Sequence, residues 1–239
     1  MVIYEPRGKA REYSPLACNL YSGCEHACTY CYAPAATRTD REQFIQAKPR
    51  IDILKNLQKN CQKWEGTKDI VLLCFTCDPY QPIEDEYRIT QKAIYMLNMY
   101  GFPVQILTKG GMRAVRDFSL LQDNPDNAFS VTLTLDNPTL SKQWEPMAAT
   151  PEERIESLKI AHSMNIKTWV SFEPVIDPEA VYRMINITHN FVDLYKVGKM
   201  NYHPIAKTIN WRTFRTKTES MLKSLNKDYY IKKDLMNAI

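Results

Sequence analysis

The stretch Tyr21-Ser22-Gly23-Cys24-Glu25-His26-Ala27-Cys28-Thr29-Tyr30-Cys31-Tyr32 sets its cysteines in a C-x3-C-x2-C spacing. Thiolates this close on one loop can wrap one metal centre. A structural zinc site wants four protein ligands, and here the fourth would have to come from His26, inside the loop with poor reach, or from Cys18. A [4Fe–4S] cluster commonly takes four cysteines. Held by Cys24, Cys28 and Cys31 alone, it keeps one iron open for another ligand.

Outward from this loop, short apolar runs alternate with longer helical patterns. Residues 15–20, 70–75, 104–108, 129–135, 167–172 and 191–197 read as strands. Residues 51–64, 90–100, 152–164, 178–186 and 211–225 read as helices, the third with Thr150 as cap and Pro151 in its first turn. Strand–helix alternation repeated about six times makes a parallel sheet with right-handed crossovers. An open doubly wound sheet and a complete or partial barrel both satisfy it. Run 129–135 favours the barrel, because its hydroxyl face, Ser130, Thr132 and Thr134, wants water or a ligand while Val131, Leu133 and Leu135 pack under helices. Chemistry in such folds sits beyond the C-terminal strand ends. There lie 24–32, 76–81, 108–111, 136–138, 173–177 and 198–201, with most of the chain's unusual residues.

A chain of 239 residues, 44% of them hydrophobic, can bury a large core. We expect a single domain, with a barrel core over about 14–200 and a helical extension over about 201–239. The net charge of +4 permits a nucleic-acid partner without arguing for one. No apolar window of about 18 residues exists, so no membrane span is expected. Residues 1–11 carry Glu5, Arg7, Lys9 and Arg11 and lack the apolar stretch of a secretory signal. A cytoplasmic protein whose seven cysteines are reduced or metal-bound follows.

The triad and the aromatic residues after it resemble the radical S-adenosylmethionine superfamily. Residues 21–33, Asp78-Pro79-Tyr80-Gln81-Pro82-Ile83-Glu84 and Leu107-Thr108-Lys109 narrow the resemblance to its spore photoproduct lyase-like group, over roughly 14–199. The resemblance implies an α/β partial (β/α)6 TIM-like barrel, a [4Fe–4S] cluster on Cys24, Cys28 and Cys31, and bound S-adenosyl-L-methionine. It also implies a reducing electron donor such as flavodoxin or ferredoxin, and cleavage of the cofactor to a 5′-deoxyadenosyl radical. For the named lyase it implies repair of a thymine dimer in DNA. By the same similarity Tyr30 and Tyr32 lie near the cofactor's adenine and Lys109 binds its carboxylate. Thr76, with Thr132 or Thr134, supplies hydroxyl contacts, and Glu173 meets the ribose hydroxyls or the substrate. Asp78 has a further role open to it, capping its own loop as an Asx turn.

The sequence departs from that group at one telling place. The lyase carries a hydrogen-donating cysteine just before a Thr-Ser-Asp run. Here the run is Phe75-Thr76-Cys77-Asp78, with Phe75 at the aligned position and cysteines at 74 and 77. Strand alternation sends Cys74 and Cys77 to opposite faces, so Cys77 is expected in the site as the hydrogen donor and Cys74 in the core. Lys196, Lys199, His203, Lys207, Arg212, Arg215 and Lys217, interleaved with Tyr202, Trp211 and Phe214, suit contact with a nucleic acid or, equally, a solvated helix face. A radical enzyme with a small-molecule or peptide substrate and a non-catalytic zinc or iron–sulfur protein are the competing functions.

Overall fold

The computed structural model describes residues 2–64 and 69–238. Its main sheet has eight strands: β1 (Ile3–Tyr4), β2 (Leu16–Cys18), β3 (Val71–Leu73), β4 (Val104–Thr108), β5 (Ala128–Thr132), β6 (Lys167–Phe172), β7 (Leu194–Val197) and β8 (Asp228–Ile231). Spatial order follows chain order from β1 to β8. A doubly wound sheet reverses its order at a switch point; this one does not, and it curls as a barrel left open between its first and last strands. Strands β2 to β8 pair in parallel, and β1 alone is antiparallel, pairing Ile3 with Cys18.

Each parallel step is bridged by a helical crossover. These include α1 (Ile53–Lys63), α2 (Ile89–Met99), α3 (Pro151–Ser163), α4 (Pro178–Thr188) and α5 (Trp211–Ser224). Apolar spacing fixes which face each helix buries. Leu57 and Cys61, one turn apart on α1, are fully buried, as are Ala93, Ile94 and Leu97 of α2. Thr150 opens α3 with a capping box, its hydroxyl accepting from the Glu153 amide while the Glu153 carboxylate accepts from the Thr150 amide at 2.8 Å.

Two expectations change. The ladder of β5 stops at Thr132 rather than Leu135. The region after residue 200 is no purely helical extension: Asp228–Ile231 joins the sheet as a seventh parallel strand, paired from Asp228↔Leu194 to Ile231↔Val197. Its one-to-one parallel register to β7 makes it part of the barrel wall. Among the described residues no helix is long and apolar enough to cross a membrane.

Candidate active site

The cysteine loop is held from several sides before any ligand is considered. Tyr21–Ser22 pairs antiparallel with Lys48–Pro49, and the Cys24 amide donates to the Phe44 carbonyl at 2.8 Å. Gly23, at φ +88°, leaves no room for a side chain, since a Cβ would sit 2.4 Å from that carbonyl oxygen. Arg41 donates to the carbonyls of Cys28 (2.8 Å) and Cys31 (3.2 Å). The Glu25 amide donates to Gln81 Oε1 at 2.8 Å, and the Glu25 carboxylate accepts from the Ile83 amide at 2.6 Å. The triad loop and the loop beyond β3 are thereby one unit.

Asp78 is the hinge pin of that unit. It makes the Asx turn, accepting from the Tyr80 amide at 2.8 Å, and also accepts from Thr108 Oγ1 (2.5 Å) and the Lys109 amide (2.7 Å). His26 Nδ1 faces its carboxylate at 3.4 Å. Burial would push the Asp78 carboxyl up, but His26 and these donors outweigh it and hold it well below the usual carboxylate range.

These loops line a cavity of about 450 Å³ at the C-terminal strand ends, within the roughly 300–1,000 Å³ of small-molecule and cofactor sites. One wall holds Cys24, Cys28 and Cys31 with Tyr30 and Tyr32. Thr76, Cys77 and Asp78 come from beyond β3, Lys109 from just past β4, Thr132 from β5, Ser171 from β6 and Glu173 from just past it. The mouth adds Arg7, Lys9, Lys199 and Tyr202, the last 95% exposed.

Thr134 does not join this group. It is buried with its Oγ1 unpartnered among the described residues, while the Ser130 hydroxyl donates to the Ile106 carbonyl below the cavity. Of the hydroxyl face, Thr132 alone reaches the cavity, because the strand passes out of the ladder at that residue. Cys74 was expected in the core, opposite Cys77. It is buried in the core and also borders the cavity, as Cys77 does, because alternation holds only as far as Leu73 and the chain then turns. The late basic cluster disperses. Lys196 lies over the Trp169 ring, Lys217 pairs with Glu179, Arg215 donates to the Met236 carbonyl, and Trp211 and Phe214 are core residues. Only Lys199 and Tyr202 of that group reach the cavity mouth.

Three features escape sequence reasoning. Tyr13 donates to Glu173 at 2.6 Å and meets the Ser171 hydroxyl at 2.9 Å. Lys232, 3% exposed, pairs with the same Glu173 carboxylate. Glu145 and Arg154, both 1% exposed, form an ion pair at 2.6 Å to which Tyr30 donates its phenol proton. Tyr30 is thus pinned from behind, and the exposed Tyr32 lines the cavity with its hydroxyl donating to the Phe75 carbonyl at 3.1 Å.

Burial pushes the Cys24 thiol up, and that of Cys28 to about 12, so a bound metal is what would make them thiolates. Lys109 lies beside Cys28. Burial would lower its ammonium, but Cys28, Glu145 and Asp78 hold it above its usual value. Among the described residues that ammonium has no hydrogen-bond or ion-pair partner, and its contact is the Tyr30 ring at 5.8 Å. No three His, Cys, Asp or Glu side chains among the described residues close around a single-ion point. Three soft thiols spread on the wall of a cavity fit a multi-iron cluster, one thiolate per iron, with one iron left open.

A parallel partial barrel with three thiols at the mouth of its first βα unit defines a metal-cluster enzyme of the barrel type. The family model described as the radical SAM superfamily matches residues 18–192, and the chain belongs to that superfamily. Its cofactors are a [4Fe–4S] cluster and S-adenosyl-L-methionine. An uncharacterized protein of Methanocaldococcus jannaschii is 28% identical over 77% of this chain and 69% of its own length. An uncharacterized protein of Mycobacterium bovis is 27% identical over 66% of the chain but 48% of its own length, so the chain spans about half of that relative. A radical SAM Nα-GlyT isomerase of Pseudomonas phage M6 is 25% identical over 79% of the chain and 38% of its own length. Spore photoproduct lyase complexed with dinucleoside spore photoproduct superposes with a TM-score of 0.72 at 12% identity, covering 95% of this chain and 79% of that one.

Proposed function

We propose that this radical SAM enzyme carries its cluster on Cys24, Cys28 and Cys31 and acts on a nucleic-acid base or DNA lesion. The observation that carries the reading is the convergence on one cavity of the three thiols, the Cys77 thiol and the Lys109 ammonium, which has no hydrogen-bond or ion-pair partner among the described residues. When bound, the cluster and cofactor supply one electron and a 5′-deoxyadenosyl radical. The chain does the rest. Lys109 offers a charge for the cofactor's carboxylate, Tyr32 a ring for its adenine, and Thr76 and Thr132 hydroxyls. Glu173, oriented by Tyr13 and Lys232, accepts from hydroxyls of cofactor or substrate. Cys77 holds the hydrogen that ends the substrate radical.

The mouth supports a nucleoside-bearing substrate. Tyr202 presents a ring for stacking, and Arg7 and Lys199 have no partner among the described residues. The lyase in the comparison binds a dinucleoside, and the phage relative is named for GlyT. With its cysteines reduced or metal-bound, the enzyme is placed by this reading in a reducing cytoplasm, with flavodoxin or ferredoxin as electron donor. The test is anaerobic reconstitution with iron and sulfide, reduction, and measurement of 5′-deoxyadenosine with and without damaged oligonucleotides. Cofactor cleavage that requires all three cysteines and rises with the oligonucleotide is expected. A full cluster that never cleaves the cofactor would overturn the reading.

A further inference from the structure

Cys74-Phe75-Thr76-Cys77 is a second close cysteine spacing, outside the triad. The ladder of β3 ends at Leu73. Asn19 Oδ1 then accepts from the amides of both Phe75 (2.8 Å) and Thr76 (2.9 Å), which turns the chain instead of extending it. That turn sets both thiols in the cavity wall, Cys74 at 5% and Cys77 at 8% exposure. Burial first, and the neighbouring Cys77 thiol second, push the Cys74 thiol up. Cys18, on the neighbouring strand, is fully buried behind them. The cluster ligands and cofactor contacts proposed above do not include this pair.

We propose that Cys74 and Cys77 form a reversible dithiol–disulfide pair in the wall of the substrate cavity. A low-molecular-weight disulfide is the oxidant. One cysteine attacks it and releases a first thiol, and the second cysteine then attacks the mixed disulfide and releases a second. The S–S bond forms as two electrons and two protons pass to the oxidant, and a dithiol reductant reverses the step. Reduced, the pair keeps an S–H bond on Cys77 in the cavity; oxidised, it has none. The consequence for catalysis rests on Cys77 as hydrogen donor under the function proposed above, whereas formation of the bond does not.

Cluster-loaded protein is equilibrated anaerobically with oxidised or reduced glutathione, quenched in acid, alkylated after unfolding and mapped by mass spectrometry. The peptide holding both residues should be two hydrogens lighter and unalkylated after oxidation, and should regain both alkyl groups after dithiothreitol. Cys74→Ser should leave a lasting glutathione adduct on Cys77. Full alkylation of both residues after excess oxidant, or a bond from Cys77 to Cys18 or Cys24, overturns the pair. Disulfide formation with unchanged product yield from oxidised enzyme retains the pair and overturns the hydrogen-donor role of Cys77.

Discussion

Lys109 is a cation held among groups that raise its affinity for a proton, yet with no hydrogen-bond or ion-pair partner among the described residues. A charge-assisted hydrogen bond contributes about 1.5–3 kcal/mol, so Lys109→Met should weaken S-adenosylmethionine binding by about 10- to 100-fold. Iron and sulfide content should stay at the wild-type level, and calorimetric titration reads the affinity; unchanged binding would remove Lys109 from the cofactor site. Gly198 matters for what it lacks: a Cβ there would stand 2.7 Å from the Glu173 carboxyl carbon. Gly198→Ala must displace that carboxylate from Tyr13 and Lys232, at a cost of about 1–3 kcal/mol in thermal or denaturant unfolding. Lys196 gives a pH signature. Burial, and then the charge of Lys232, lower it to about 8. With the folded value below the unfolded one, the unfolded chain binds more protons between about pH 8 and 10.5, and the penalty of charging Lys196 fades across that window. Lys196→Met should therefore be more stable than wild type at pH 7, with the gap closing as pH rises through the window. A gap independent of pH would mean that the change acts through packing.

At the scale of elements, Glu145 lies just past the helix Pro138–Trp144 and joins three pieces of chain: its own segment, Arg154 on α3 and Tyr30 in the cysteine loop. Removing one partner of a buried ion pair costs about 3–5 kcal/mol because the other charge is stranded. Glu145→Ala should cost about that much in denaturant unfolding and lower the iron bound per chain on reconstitution. Loss of stability with full iron loading would show that Tyr30 is not needed to shape the triad loop. How far such elements were legible in sequence depends on the range of the signal. The triad loop was, because its residues are adjacent and their chemistry is unusual. The strand and helix sites were, because apolar period is local. Cys74 is a core residue as its strand position suggests, but that it also borders the cavity beside Cys77 was not legible, because the Asn19 bonds that end the ladder span 56 and 57 positions. The sequence leaves Thr132 and Thr134 as alternatives, and only Thr132, where the ladder ends, lines the cavity. Tyr13, Glu145, Arg154 and Lys232 carry no sequence signal, since each meets its partner only after folding.

On the scale of the molecule, the barrel is left open between its edges, and its two ends of chain cover part of that gap with side chains rather than a ladder. Tyr230 donates to Glu12 at 2.9 Å, the Lys233 amide donates to the same carboxylate at 2.9 Å, and Lys9 pairs with Asp234. Strand β8 and the short helix Lys233–Met236 after it carry these contacts, bring Ile231 and Leu235 to the core and set Lys232, between them, against Glu173. The late segment is therefore structural and part of the site at once. Removing residues 228–239 should cost about 4 kcal/mol from the two apolar side chains alone, or about 10 °C in melting temperature for a chain of this size. It should also abolish function even where folding survives, because Glu173 loses its cation. Lys232→Met separates the two effects. It keeps β8 and its apolar anchors, so its melting temperature should fall far less than that of the truncation, while cofactor or substrate affinity falls with it. If Lys232→Met binds both ligands as wild type does, β8 serves the wall alone and Glu173 is oriented by Tyr13 without it.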